Sequence, residues 1–398
     1  MDIAIFTLTS ALHDAQSVKA STQQFLGAIG IDHVFCDADY TEYGHHDLNI
    51  IYVRTGGTEG IFLEKLPVLK AQGGDSPIYL LTSGLSNSLA ASLEILSYLR
   101  QQGLRGEVIH GSNEYIAERI RSLAAVEKAR RQLRECRLGV VGEPSDWLIS
   151  SHVDAAVVKK RLGISLESIA ISELLSIMDT TPETMPQETS SVECIKQALP
   201  GANRIYLALR QLAQQHRLNG LTIRCFDLLT AVHNTGCLAL AKLSSEGVVA
   251  GCEGDVPALL TMVIGKALTG ITGFQANPAR VDIATGELVF AHCTIPFSLV
   301  ERYELDTHFE SGIGVGIRGF MKEGPVTVFK VSADLSRYYA EEGFLVKNMS
   351  QPNMCRTQQL IRLCNPEQAR YFLTSPIGNH HVIIPGHHKR LIDDFMSF

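Results

Sequence analysis

The chain has 398 residues, 45% of them apolar and 19% charged, with only 14 prolines; it is too long for one ordinary core, and two or three compact domains without long disordered tails are expected. A net charge of −7 with no basic cluster excludes nucleic acid and anionic membrane as main partners, because both require a Lys/Arg patch against phosphate. A phosphorylated sugar stays open, since one or two local arginines suffice for it.

The opening segment, Met-Asp-Ile-Ala-Ile-Phe-Thr-Leu-Thr-Ser, has no basic leader and too short an apolar run for a signal peptide, and reads as a first strand. Short apolar runs then alternate with amphipathic stretches: Ile3 to Leu8, Asn49 to Val53, Ile78 to Leu81, Val108 to His110 and Leu138 to Val141. That alternation is the βαβ signature of a parallel sheet. Three runs lead into small polar loops, Val53-Arg-Thr-Gly-Gly-Thr-Glu59, Thr82-Ser-Gly-Leu-Ser-Asn-Ser88 and Gly142-Glu-Pro-Ser-Asp146. Their backbone donors suit a hydroxylated or anionic ligand, although Gly and Ser are also ordinary turn formers. No Gly-x-Gly-x-x-Gly follows the first strand and no Walker motif is present, so neither a nicotinamide cofactor nor a nucleoside triphosphate is indicated. The helix from Asn87, apolar at Leu89, Leu93, Leu96 and Leu99 and closed by Gly103, is scaffold.

A second α/β unit begins near Ser150, with a helix over Asp154 to Leu162, a strand over Ser168 to Ile171 and a long helix from Ser190 to Gln214. A strand over Leu221 to Leu228 and a helix over Gly236 to Ser245 follow, and Pro182 and Pro186 mark a surface loop. Beyond Gly273 the pattern becomes alternating and turn-separated, at Arg280 to Asp282, Leu288 to His292, Gly314 to Phe320 and Val326 to Ser332, which predicts an antiparallel barrel or sandwich. The expected fold is therefore α/β: two doubly wound parallel-sheet domains, 1–150 and 151–272, followed by an antiparallel β domain, 273–398. The nine cysteines form no Cys-x-x-Cys and read as reduced thiols of a cytoplasmic protein; no apolar segment is long enough to cross a membrane.

The chemistry gathers between Gly247 and Pro296, where three apolar runs each end in a polar residue: Val248 to Ala250 before Glu253, the run before Asn277, and Leu288 to Ala291 before His292. Asp255 stands where a helix N-cap belongs, with Pro257 in the first turn and an apolar helix, Ala258 to Leu268, behind it. A carboxylate, an amide oxygen and an imidazole delivered from neighbouring strand ends suit a hard or borderline divalent metal, Mn²⁺ before others. The plain alternatives are a turn residue at Glu253, a turn former at Asn277 and a half-buried imidazole at His292. Near the end, Gly378-Asn379-His380-His381-Val-Ile-Ile-Pro-Gly-His387-His388 holds four histidines, and period-2 alternation turns His380 and His381 to opposite faces.

The segment Cys252-Glu-Gly-Asp-Val-Pro-Ala-Leu-Leu-Thr-Met262, with Ala276-Asn-Pro, Ala291-His-Cys-Thr and Gly378-Asn-His-His-Val-Ile-Ile-Pro-Gly386, resembles the L-fucose/L-arabinose isomerase superfamily, in its shorter fucose isomerase-like branch. The likeness extends to Arg54-Thr-Gly-Gly-Thr-Glu59, Asn87-Ser-Leu-Ala-Ala-Ser-Leu-Glu94 and Gly142-Glu-Pro-Ser-Asp-Trp-Leu148. The resemblance implies metal-dependent aldose–ketose isomerisation of a small sugar. One proton moves between C1 and C2 and another between O1 and O2, through an enediolate whose charge a divalent ion stabilises.

By that resemblance Glu253, Asn277, His292 and His380 are the metal ligands, Glu253 also moves a proton, and Arg54, Glu59, Asn87 and Trp147 contact substrate; His387 and His388 flank Gly386 in a loop, in substrate contact or simply exposed at the surface. One departure matters: Asn277 stands where the arabinose-type enzymes carry a carboxylate, and an amide cannot act as a base near neutral pH. Asp255 is the candidate replacement, against its competing role as N-cap; Asp227, Glu143 and His292 are further candidates for the second acid/base. A catalytically silent sugar- or metal-binding relative is the alternative reading. The family's assembly implies a homo-oligomer, trimer or hexamer, with Arg54 and Glu59 acting in trans.

Overall fold

The computed structural model describes residues 2–74 and 76–397. Two compact units divide the chain, one ending at Arg131 and the other beginning at Gln132.

The first unit is a five-stranded parallel sheet of β1 (Ile3–Leu8), β2 (Val34–Asp37), β3 (Leu48–Val53), β4 (Ile78–Leu81) and β5 (Gly106–Ile109), in the order β2-β1-β3-β4-β5. Of these only β2 has no counterpart in the expected strands; its four residues are largely exposed and carry no alternation. Apolar clusters cover both faces of this sheet, as a doubly wound sheet requires. One holds Ile3, Ile5, Ile50 and Tyr52, the other Phe6, Leu8, Ile51 and Val53.

The second unit opens with a four-stranded parallel sheet, ordered β7-β6-β8-β9, of β6 (Arg137–Val141), β7 (Ser165–Ile169), β8 (Gly220–Ile223) and β9 (Val249–Cys252). The expected strand over Leu221 to Leu228 is half as long as anticipated, because Asp227–Ala231 turns into a short helix. The helix Glu193–Gln215 carries the apolar stripe Ile195, Leu199, Ala202, Ile205, Leu209 and Leu212 at helical spacing and buries all six.

The antiparallel part follows as expected. A closed six-stranded barrel runs β10-β11-β16-β15-β14-β17, built from β10 (Phe274–Asp282), β11 (Glu287–His292), β14 (Gly324–Val331), β15 (Tyr338–Met349), β16 (Thr357–Leu363) and β17 (His381–Pro385). A separate hairpin pairs β12 (Val300–Asp306) with β13 (Gly316–Met321). Asn277 and Arg280 to Asp282 share one continuous strand, so Asn277 lies mid-strand rather than at a strand end. Pro278 sits within that strand beside an irregularity in the pairing with β11, a usual place for a strand proline.

One helix ties sheet to barrel. Val256–Thr269 is apolar on every side and buried from Val256 through Gly265, since it packs on β8 and β9 as well as on β14 and β17. Each fully buried Leu or Ile along it contributes roughly 1.5–3 kcal/mol. Its N-terminus therefore sits where the C-terminal end of the parallel sheet meets the barrel wall, the position at which open α/β sheets place ligands.

Candidate metal centre

β9 ends at Cys252 and the next two residues turn through left-handed backbone, Glu253 at φ +64 and Gly254 at φ +69. Glycine is required at the second, because a Cβ there would stand 2.6 Å from the carbonyl oxygen of Glu143. For a glutamate the left-handed conformation is strained, a state kept where surrounding structure holds it. Ser145 N–H donates to the Glu253 carbonyl at 3.0 Å and Trp147 Nε1–H to Glu253 Oε2 at 2.7 Å, so the 142–148 loop fixes the side chain as well as the turn.

With Oε2 engaged, Oε1 faces two imidazoles: His292 Nε2 at 3.6 Å and His380 Nε2 at 3.5 Å. The two rings are edge to face, their centroids 5.2 Å apart. His292 comes from the end of β11 and His380 from the residue before β17. Their remaining nitrogens are held from behind. Thr294 Oγ1 meets His292 Nδ1 at 3.0 Å, and Asp255 Oδ2 accepts from His380 Nδ1–H at 2.8 Å. Since an ionised carboxylate only accepts, this bond fixes the proton of neutral His380 on Nδ1 and presents the Nε2 lone pair.

Asp255 is fully buried and doubly occupied, for its Oδ1 accepts the Ala258 N–H at 2.8 Å as helix N-cap. Of the two readings of Asp255 in the sequence, N-cap and second acid/base, this geometry shows the cap, and the same carboxylate also orients a histidine of the site.

Burial acts against charge throughout the group, and the partners outweigh it at Glu253, Asp255 and His380 but not at His292. Burial raises the Glu253 carboxyl, but the His292 and His380 imidazoles hold it well below the usual carboxylate range. Asp255 is held down to about 2 by Lys330 and His380, against burial. His380 would be lowered by burial, yet Asp255 and Glu253 push it up to about 9. His292 is lowered, chiefly by burial.

Glu253, His292 and His380 fit a metal ion. Their ligand atoms all lie within 4.8 Å of one another, and His380 Nε2 is buried with no hydrogen-bond partner among the described residues. An oxygen and two imidazole nitrogens make a donor set for a borderline divalent ion. Asn277 Oδ1 is a second buried polar atom of the site without a hydrogen-bond partner among the described residues. Its neighbour on the same face of β10, Gln275, bonds the backbone of Cys252 through both amide atoms, so this face packs on the end of β9.

Trp147 stands at the rim, half exposed, its ring edge-on to Phe226, which in turn meets His308. Burial drops His308 to about 4, and the charges of His292 and Glu253 reach it. His387 is elsewhere: it follows the far end of β17, packs on Phe344 and faces the Gly343 carbonyl. Asp227 pairs with Arg224, and Glu143 is exposed.

Arg54, Glu59 and Asn87 belong to the first unit. Arg54 is held by Thr7, Thr9 and Asp37 on the wall of a cleft of about 1020 Å³. Glu59 opens the helix Glu59–Gly73, and Asn87 is exposed in left-handed backbone. Lys330, Thr294 and His308 stand at the site although no motif assigns them a role. The signal for Lys330 was present, a lone cation between Phe329 and Val331 in a strand otherwise free of charge.

No family model matches the chain. Among curated proteins it is similar to the sulfoquinovose isomerase of Clostridium sp. (strain MSTE9), 26% identical over 258 residues that make up 61% of this chain and 56% of that protein. The sulfoquinovose isomerase of Priestia megaterium is 25% identical over 54% of this chain and 52% of its own, and that of Alkalicoccus urumqiensis 23% over 62% and 59%. The chain thus spans about half the length of the curated relatives it matches. Sulfoquinovose isomerase is a member of the L-fucose/L-arabinose isomerase-like group, the group that the chain's own motifs resemble.

Proposed function

We propose that the chain is a metal-dependent aldose–ketose isomerase acting on a small, anionic sugar, with sulfoquinovose the first candidate. The observation that carries this reading is the convergence of Glu253 Oε1, His292 Nε2 and His380 Nε2, with the last buried and without a hydrogen bond among the described residues. Glu253, His292 and His380 would hold the ion, with Asn277 as a neutral fourth donor, and Mn²⁺ suits that mixed set. When bound, a divalent cation supplies charge stabilisation for the two adjacent oxygens of an enediolate.

The protein's own share is orientation and proton handling. Glu253 stays ionised and offers Oε2 at the Trp147 rim, where a sugar hydroxyl that replaces the indole N–H meets a carboxylate oxygen. Asp255 has both oxygens occupied and Asn277 cannot accept a proton, which leaves Glu253 as the carboxylate for the transfer between C1 and C2. The half-exposed Trp147 face suits the apolar side of a pyranose or open-chain sugar. We place the protein in the cytoplasm, on nine cysteines that are all free thiols, and expect a trimer or hexamer by analogy with the resembled family. Among the described residues no helix is long and apolar enough to cross a membrane.

The test is exchange of the C2 proton with deuterated water, followed by NMR with Mn²⁺ present. The panel is sulfoquinovose, glucose 6-phosphate, unsubstituted aldohexoses, 6-deoxyhexoses and pentoses. Exchange with sulfoquinovose and none after Glu253→Gln is the expected result. Metal binding without exchange on any sugar would favour the silent relative, for which Asn277 in place of a carboxylate is the supporting observation.

A further inference from the structure

Lys330 is the one cation of β14, fully buried between Phe329 and Val331, and its Nζ makes no hydrogen bond among the described residues. Its nearest charge is Asp255 Oδ1 at 3.7 Å. Val331 N–H donates to Thr261 Oγ1 at 3.1 Å, which pins β14 to the same helix that Asp255 caps. On the other side the chain leading to His380 closes over the lysine: Gly378 runs at φ +143, and a Cβ there would stand 3.0 Å from Lys330 Cε. The lysine head thus lies between the N-cap of the helix and the segment that delivers His380.

A gain in stability does not explain it. Removing an ammonium from water costs several kcal/mol, and the attraction offsets this only when the pair is close and hydrogen-bonded. At 3.7 Å with no hydrogen bond, an apolar side chain of the same length would stabilise the fold at least as well. On balance burial lowers the Lys330 ammonium, and the Asp255 carboxylate opposes that shift.

We propose that Lys330 is a positioning residue of the metal centre: its ammonium keeps the buried Asp255 carboxylate turned so that Oδ2 accepts from His380 Nδ1–H and His380 Nε2 points at Glu253 Oε1. Asp255 is pulled by three groups, Ala258 N–H, His380 Nδ1–H and Lys330 Nζ. Without the third, the cap alone sets the carboxylate plane, and the histidine loses its fixed backing. The inference rests on the metal reading above and adds a residue that touches neither ligand atoms nor substrate.

The test measures metal affinity and geometry, independently of turnover. Wild type, Lys330→Met, Asp255→Asn and the double variant are titrated with Co²⁺, with the dissociation constant taken from calorimetry and the ligand field from the visible absorption bands. Lys330→Met is expected to weaken Co²⁺ binding ~10-fold or more and to change the band intensity, the scale of outer-shell changes at metal sites. In the Asp255→Asn background the same substitution is expected to have no further effect, because its target is already neutral. The double variant has no buried charge at either position, so it serves even where Lys330→Met alone fails to fold. Equal affinity and spectrum in wild type and Lys330→Met would overturn the role of Lys330 alone. The same ~10-fold loss in both backgrounds would overturn its action through Asp255. Wild type that binds no Co²⁺ would overturn the metal reading and this inference together.

Discussion

His380 donates its Nδ1–H to Asp255 Oδ2 at 2.8 Å across 125 residues of sequence, joining the segment before the last barrel strand to the cap of the helix that spans sheet and barrel. Through this bond one carboxylate serves both the fold and the site. Asp255→Ala removes an N-cap worth about 1 kcal/mol and leaves Lys330 buried without its counter-charge and the His380 Nδ1–H without its acceptor. A loss of roughly 3–5 kcal/mol in unfolding free energy is expected from urea denaturation. Asp255→Asn, which keeps an acceptor for one donor, is expected to cost less. Equal, small losses for both would mean that the bond carries little.

Glu253 occupies left-handed backbone at φ +64, which a residue with a Cβ adopts at a cost and glycine does not. Glu253→Gly is therefore expected to be more stable than Glu253→Ala by about 1 kcal/mol, although glycine normally loses that comparison. Both lack the carboxylate, so the difference in melting temperature reads the backbone alone. A more stable alanine variant would contradict the strained turn.

Trp147 donates to Glu253 Oε2 at 2.7 Å from a half-exposed position. Trp147→Phe keeps the ring against Phe226 and removes the donor. Its stability is expected to stay within ~1 kcal/mol of wild type, the scale of one exposed hydrogen bond. Turnover is expected to fall ~10-fold while metal affinity changes little, because Glu253 Oε1 is untouched and only the free oxygen loses its aim. A loss of metal affinity as large as the loss of turnover would place the indole bond in the ligand set instead.

His381 points the other way from His380, among Phe290, Tyr339, Tyr371 and Phe372, with Nε2 on the Tyr371 hydroxyl at 3.1 Å. Burial, then the charge of Lys330, lowers its pKa from 6.5 to about 3. Between those values the unfolded chain takes up a proton that the folded chain refuses. Stability from this group is therefore intact above pH 6.5 and is lost as pH falls toward 3. His381→Phe is expected to lessen the fall in unfolding free energy from pH 7.5 to 4.5 by about 3 kcal/mol, at 1.4 kcal/mol for each unit of pH below 6.5. An unchanged slope would mean that other groups set the acid limb.

Much of this was legible in the chain. Alternation and turn residues located most of the strands, and the runs before Glu253 and His292 do end at strand ends, where a sheet meets its next layer, whereas Asn277 lies within a continuous strand. His380 was placed by resemblance and by the opposite facing of adjacent strand residues. What escaped was non-local. β2 is too short and exposed to alternate, and the segment beyond Leu221 has strand-like composition but turns into a helix at Asp227. Lys330 reads as an ordinary break in an apolar strand until the barrel carries it to a helix cap 75 positions earlier, and His387 looked like a site residue because it neighbours one in sequence, although a full strand separates it from His380.

The most direct measurement is the metal content of protein loaded with Mn²⁺ and dialysed against metal-free buffer at pH 7.5, for wild type, His380→Ala and Glu253→Gln. About one equivalent per wild-type chain is expected, with both variants near zero, because Glu253 and His380 each supply one of the few protein donors. Wild type that retains no Mn²⁺, or variants that retain as much as wild type, would contradict a metal centre at Glu253, His292 and His380.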